Sequence, residues 1–293
     1  MQNGLDMKTK KQKNAKAFTL IELLVVIAII ALLLGILMPG LNKARMYGRA
    51  VVSMSNMRQW GIGAMMFTDE NKSKYPWEGN KNDNMGENFN HSDWWANAIP
   101  PYVGQETYRT ISERAVKNKS FVPLPPATNS IFIDPAAKFP DNFTKNAVVF
   151  YDRTWPGGYE YQLFFCYVWN SEMNNGPTAN ILDDIENVKA TDIRKTTQTA
   201  LMLEMRTTSK ELETSDYRYY REAALLGRHR GDWKRIARRH LDGAHIVFCD
   251  GHVQRVKYDW ATANRQGSRD PDYAGGDWNK NGLIWNAFGP SLK

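Results

Sequence analysis

Cysteine is almost missing. Cys166 and Cys249 are the only two in 293 residues, too few for a disulfide scaffold or a four-thiolate zinc site. They could pair outside the cytoplasm only if their strands are neighbours; two free buried thiols are the simpler expectation. A serine nucleophile elbow, an H-E-x-x-H pair and a phosphate-binding loop are missing too, which removes several common signals of catalysis. Strong charge bias is lacking outside the first residues. Lys8, Lys10, Lys11, Lys13 and Lys16 against Asp6 make +4 of the formal +7, so the rest carries only +3. Global basicity is therefore a poor argument for nucleic acid binding. With 42% hydrophobic and 24% charged residues, disorder is not the default reading, and one large or two small domains can be built.

What the chain does have is a long apolar run. Phe18 to Met38 contains only Thr19 and Glu22 as polar residues, and a membrane-spanning helix needs about 20 apolar residues. Lysines precede the run, so the positive-inside tendency keeps the N-terminus cytoplasmic and exports the larger C-terminal part. A secretory signal would have an apolar core of about 7–15 residues and a small-x-small cleavage site; this run is longer, and "ILMPGLNKAR" after it is no such site. Glu22 is the anomaly. A charge in an apolar span costs roughly 2.5–3.5 kcal/mol on insertion scales, so it calls for a partner.

The stretch Lys16-Ala17-Phe18-Thr19-Leu20-Ile21-Glu22 resembles the processing site of type IV prepilins and type II secretion pseudopilins. The resemblance implies a prepilin peptidase that cuts between Ala17 and Phe18 and N-methylates Phe18. Family members usually have glycine before the cut, and Ala17 departs from that. The new amine on Phe18 would lie one helical turn before Glu22, within one chain or on a neighbour, and so supply the missing partner. In the family this pairing is thought to register an incoming subunit against the growing filament.

Beyond Pro39 the chain has few breakers. Leu41, Ala44, Tyr47, Val51, Met54, Ile62 and Met65, mostly three and four apart, predict an amphipathic continuation of the helix to about Glu70, ended by "DENKSKYP". Gly48, Gly61 and Gly63 weaken it locally. The organisation expected is a basic cytoplasmic leader over 1–17, a transmembrane helix over 18–38, its amphipathic continuation over 39–70 and an exported globular domain over 71–293. "AVVFYD", "YEYQLFFCYVW", "TALMLEM" and two runs around Asp250-Gly251 read as strands. The fold class expected is α+β and pilin-like: a long N-terminal helix packed on a mostly antiparallel sheet.

"RRHLDGAHIVFCDGHVQRV" predicts a hairpin, with strands Ala244 to Cys249 and His252 to Val256 joined by Asp250-Gly251 as a two-residue type I′ turn. His240, nine residues and then Asp250-Gly251 also resemble the H-x9-DG signature of one large group of prepilin-type proteins. "SDWWANAIPPYVG" and "ALMLEM" resemble other parts of that group; where it often has Cys-Pro, this chain has Asp134-Pro135. His240, His245 and His252 with Asp242 and Asp250 are residue types that zinc accepts, but alternation along a hairpin need not bring them together.

"DWNKNG" places Asp277, Asn279 and Asn281 before Gly282 in the order that opens a calcium loop, and major pseudopilins resemble this chain in having a C-terminal calcium loop. Phe288 stands where the closing glutamate belongs, so an Asn-Gly turn is the plainer reading, and no cofactor other than calcium is expected. The basic run Arg218, Arg221, Arg228, Arg230, Lys234, Arg235, Arg238 and Arg239 reads as a solvated or inter-subunit face before it reads as a nucleic acid contact. For tryptophans such as Trp94, Trp95, Trp155 and Trp278, burial is expected before sugar stacking.

The function expected is that of a structural subunit of a pilus or pseudopilus, not an enzyme, anchored once in the inner membrane before entering a filament. Its partners would be other pilin or pseudopilin subunits, the prepilin peptidase, the inner-membrane assembly machinery and membrane lipid. The rival readings are a membrane-anchored glycan-binding module that never polymerises and a tethered metal-dependent hydrolase.

Overall fold

The computed structural model describes residues 19–79, 90–120, 122–139, 150–152, 159–161, 164–171, 173, 188–211, 230–231, 235–262 and 282–286. The chain divides into two compact units, Met1–Arg45 and Met46–Lys293. Helix α1 spans Leu20–Glu70 and includes Pro39.

In the first unit the described chain is helical from Leu20 onward and exposed throughout. Its large apolar side chains, from Leu20 to Met38, have no covering in the isolated chain. By length and composition this helix can cross a membrane. An α-helix satisfies its own backbone hydrogen bonds, which is what a hydrocarbon environment requires.

In the second unit α1 buries Ala50, Ser53, Met57, Trp60, Gly61, Ala64, Phe67 and Thr68. This three- and four-residue stripe differs from the one expected from apolar spacing, since Tyr47, Val51 and Ile62 are exposed. The reason is physical. The covered face needs small residues for close approach and a hydroxyl for a buried hydrogen bond, and neither registers as apolar. A Cβ on Gly61 would lie 2.8 Å from the carbonyl oxygen of Gly251, and one on Gly63 would lie 2.6 Å from Cγ2 of Ile99. Those two glycines therefore mark packing contacts.

The main sheet has the order β5-β3-β4-β6-β7, with β3 Tyr167–Asn170, β4 Ala200–Glu204, β5 Arg230–Gly231, β6 Gly243–Phe248 and β7 Val253–Lys257. Strands β3, β4, β6 and β7 are antiparallel neighbours, and β5 adds a two-residue parallel pairing to β3. A separate antiparallel pair joins β1 Phe150–Asp152 to β2 Tyr159–Tyr161. The fold is α+β, a long N-terminal helix with a four-stranded antiparallel sheet. Strands β3, β4 and β6 are buried along their whole length, so their sequences read as near-continuous apolar runs.

The β6–β7 hairpin corrects the turn expected from sequence. The Gly251 N–H donates to the Phe248 carbonyl at 2.8 Å and the Phe248 N–H to the His252 carbonyl at 3.0 Å. Of the loop residues only Gly251 has positive φ, at 84°. The loop is thus the three-residue kind, a tight turn followed by a left-handed glycine, whereas type I′ would need positive φ at both central residues. Asp250 Oδ1 accepts from the His252 N–H at 3.2 Å, which favours the tighter local turn.

Short helices α2 Trp95–Ala98, α3 Tyr108–Lys117 and α4 Tyr258–Thr262 complete the described secondary structure apart from 3-10 turns. Trp60 of α1 lies edge-on to Trp95 and Phe132 at ring separations of 5.3 and 4.9 Å, and donates from Nε1 to the Ile131 carbonyl. Trp94 and Trp95 are fully buried. Trp155 and Trp278 lie outside the described residues. Cys166 and Cys249 are free buried thiols.

Candidate functional site

Two places concentrate polar chemistry in apolar surroundings. The first is the start of α1. Glu22 Oε2 accepts from the Thr19 backbone N–H at 2.8 Å and from the Thr19 hydroxyl at 2.9 Å, while Thr19 Oγ1 accepts from the Glu22 N–H at 3.2 Å. This reciprocal arrangement is a capping box, which satisfies helix N–H groups that have no intrahelical acceptor. Thr19 was missed as a functional residue, although Thr-x-x-Glu ahead of an apolar run is its sequence signal. Ala17 and Phe18 lie outside the described residues.

The second is a buried polar cluster under α1. Register builds it. The pairing that sets Tyr167 opposite Glu204, and Leu203 opposite Ile246, brings Glu204 beside His245, and His245 pairs with Arg255. One row across the sheet therefore carries Tyr167, Glu204, His245 and Arg255. Ser53 of α1 covers the row, hydrogen-bonded to Glu204 Oε1 and, at 2.8 Å, to the Tyr167 hydroxyl. Asn56 donates to that same hydroxyl at 3.3 Å. Glu204 Oε2 accepts from the His245 N–H at 2.8 Å, and Oε1 lies 2.7 Å from His245 Nδ1.

His240 reaches the cluster from the segment before β6. Leu241 and Asp242 both have positive φ, 52° and 64°, a conformation that costs non-glycine residues about 1–3 kcal/mol each. The turn allows the His240 N–H to bond the Gly243 carbonyl at 3.0 Å and the ring to lie over the sheet. His240 Nε2 is 2.9 Å from Asp134 Oδ2 and 3.5 Å from Glu204 Oε1. Asp134 also accepts from Arg239 Nε at 2.8 Å and from the Ala136 N–H at 2.8 Å. Arg239 Nη1 reaches Glu211 at 3.0 Å and the Met205 carbonyl at 2.9 Å. Asp134, Glu204, His240 and His245 are all 2% exposed or less.

The electrostatics follow from these contacts. Burial disfavours the Asp134 carboxylate, but the Arg239 charge and the His240 hydrogen bond outweigh it and hold its pKa well below the usual range. Burial also opposes the His240 charge, yet its bond to Asp134 and the nearby Glu204 raise its pKa. Burial first, then Asp134 and Glu204, raise the Tyr167 pKa well above the ordinary phenol value, which leaves a neutral hydroxyl. Removing either partner of such a buried pair strands the other charge.

Several residues picked out by sequence do not converge. His252 stacks on Phe248 at 4.3 Å and bonds Asp250 at 2.5 Å, half exposed, at the hairpin tip. Asp242 pairs with Arg238, whose guanidinium also lies 5.2 Å over Tyr258. Of the proposed histidine and aspartate set, only His240 and His245 lie in the buried cluster. Asp250 and Gly251 instead shape the turn that packs against Gly61 and Met65. Arg239, read from sequence as part of a basic face, is buried in an ion-pair network. Asp277, Asn279 and Asn281 lie outside the described residues, as do Arg218, Arg221, Arg228 and Lys234. Asp134, Glu204 and Ser53 were missed. An acid within "IFIDPAA" and another ending "ALMLE" were the available signals, since a charge in an otherwise apolar segment needs a partner.

Comparison with known proteins bears on the first place. Residues 12–38 match the prokaryotic N-terminal methylation motif. The match spans the end of the basic leader and the apolar start of α1, and a prepilin-type methylation segment followed by a long apolar helix is consistent with a type IV pilin-like protein. The motif marks a substrate of prepilin peptidase, and the helix fits a single-pass membrane anchor. No curated protein and no solved structure matches the chain.

Proposed function

We propose that the chain is a structural subunit of a pilus or pseudopilus, without catalytic activity of its own. The observation that carries this reading is the methylation motif over residues 12–38 joined to an apolar helix whose side chains from Leu20 to Met38 are uncovered. In the proposed sequence of events the N-terminus stays cytoplasmic, the peptidase cuts before Phe18, and the helix leaves the membrane to pack with those of other subunits. The sheet domain then forms the fibre surface.

Glu22 has two tasks in this account. It caps α1 through Thr19, and after cleavage it receives the Phe18 ammonium of its own chain or of a neighbour. A carboxylate has room for both, because its two oxygens accept about four hydrogen bonds. Glu22→Ala should insert in the membrane and be processed, yet be missing from sheared filaments. Normal incorporation of that variant would refute the pairing role. Glycan binding gains little support from the described tryptophans, since Trp60, Trp77, Trp94, Trp95, Trp169 and Trp285 are buried and Trp260 is partly buried against the core.

A further inference from the structure

We propose that Glu204, His240 and His245 form a closed binding site for one divalent transition ion of the zinc type, which locks the segment carrying His240 onto the sheet. One ligand atom from each residue lies within 4.8 Å of the other two. Glu204 Oε1 stands 2.7 Å from His245 Nδ1 and 3.5 Å from His240 Nε2. Around a tetrahedral zinc with bonds of about 2.0–2.1 Å, ligand atoms are spaced roughly 3.3 Å apart. Those two separations bracket that value and the third, between the two ring nitrogens, is bounded by 4.8 Å, so the rings would shift to seat the ion.

The donor chemistry suits zinc, which takes imidazole nitrogen and carboxylate oxygen. Asp134 Oδ2 lies 2.9 Å from the same His240 nitrogen but outside the three-ligand group, and it is paired with Arg239 Nε at 2.8 Å, so it would have to shift toward the ion to supply a fourth ligand. The surroundings hold the ligands. Ser53 and the His245 N–H fix the Glu204 carboxylate, and Arg255 Nη1 donates to the His240 carbonyl at 3.2 Å. On binding, the ion takes the place of the hydrogen-bonded proton on each ligating ring nitrogen, each ring stays neutral with its proton on the other nitrogen, and any second ring proton leaves to solvent. All three ligands are at most 2% exposed, so substrate has no route to the ion and its role is structural. The ligands come from β4, from the strained segment at Leu241 and Asp242, and from β6, which makes the ion a cross-link.

This inference goes beyond the filament reading and does not depend on it, because the test reads metal and stability, not processing or assembly. The full-length chain, purified in detergent without chelator, is analysed for metal by mass spectrometry. It is then stripped with a chelator under mild denaturant and refolded with zinc or cobalt(II). The expected results are about one ion per chain, a melting temperature that falls on stripping and returns with zinc, and visible cobalt bands of a tetrahedral site. Ser53→Ala should weaken zinc binding about 10–100-fold, as loss of a ligand-orienting group does, and His245→Gln should abolish it. Should His245→Gln fail to fold, the wild-type cobalt spectrum and zinc titration still decide. A folded wild-type chain without transition metal, without cobalt bands and with a melting temperature indifferent to zinc would overturn the proposal and leave a proton-bridged cluster.

Discussion

Adding one methyl group to α1 should raise or lower stability according to which glycine receives it. At Gly48 a Cβ would meet nothing within 4 Å. Gly48→Ala should therefore gain the full helix-propensity difference, about 0.8–1.0 kcal/mol. At Gly61 the same Cβ would lie 2.8 Å from the Gly251 carbonyl oxygen and 3.0 Å from Val247 Cγ1. The first neighbour is backbone in a turn pinned by positive φ, so it cannot swing aside as a side-chain tip could. Overpacking of this kind costs about 1–3 kcal/mol. Because both variants share the propensity gain, the difference between them isolates that cost. Thermal unfolding of the detergent-solubilised chain, followed by near-UV circular dichroism, should place Gly61→Ala below Gly48→Ala. At about 2–4 °C per kcal/mol for domains of 150–250 residues, the gap should be several degrees. Equal melting temperatures would refute the docking of the Asp250-Gly251 turn on α1.

Other perturbations address the interior. Arg239→Ala leaves Asp134 and Glu211 buried without their shared guanidinium and should cost about 3–5 kcal/mol, read as a loss of denaturant midpoint. Cys166 and Cys249 are buried, and burial raises both thiol pKa values. Neither should react with a maleimide in the native chain, and both should react after unfolding, without any reductant. Labelling of only one or neither cysteine in denaturant would contradict two free thiols.

Much of the architecture was legible in the sequence because it rests on composition and length. The apolar run over Phe18 to Met38 is long enough to cross a membrane, and the strands around "ALMLEM" and "GAHIVF" are short apolar runs between turn residues. Which face of α1 turns inward was not legible, because the buried stripe contains Ser53, Gly61, Gly63 and Thr68, residues that an apolar count ignores. The turn type failed for a related reason. Asp-Gly suits two hairpin loops, and one extra residue, Cys249, decides between them. At the start of α1, the Thr19–Glu22 pair is a local Thr-x-x-Glu pattern that sequence alone can signal. The cluster of Asp134, Glu204, His240 and His245 could not, since its members lie up to 111 positions apart and only strand register, with the left-handed turn at Leu241 and Asp242, brings them together.

The central claim is that the chain becomes a filament subunit only after its leader is removed. The most direct test is the mass of the N-terminal peptide of the membrane-extracted protein, from cells with active prepilin peptidase. The account predicts a chain that begins at N-methylated Phe18, with residues 1–17 gone. An N-terminus that retains the leader, or a cut at any other bond, would contradict it.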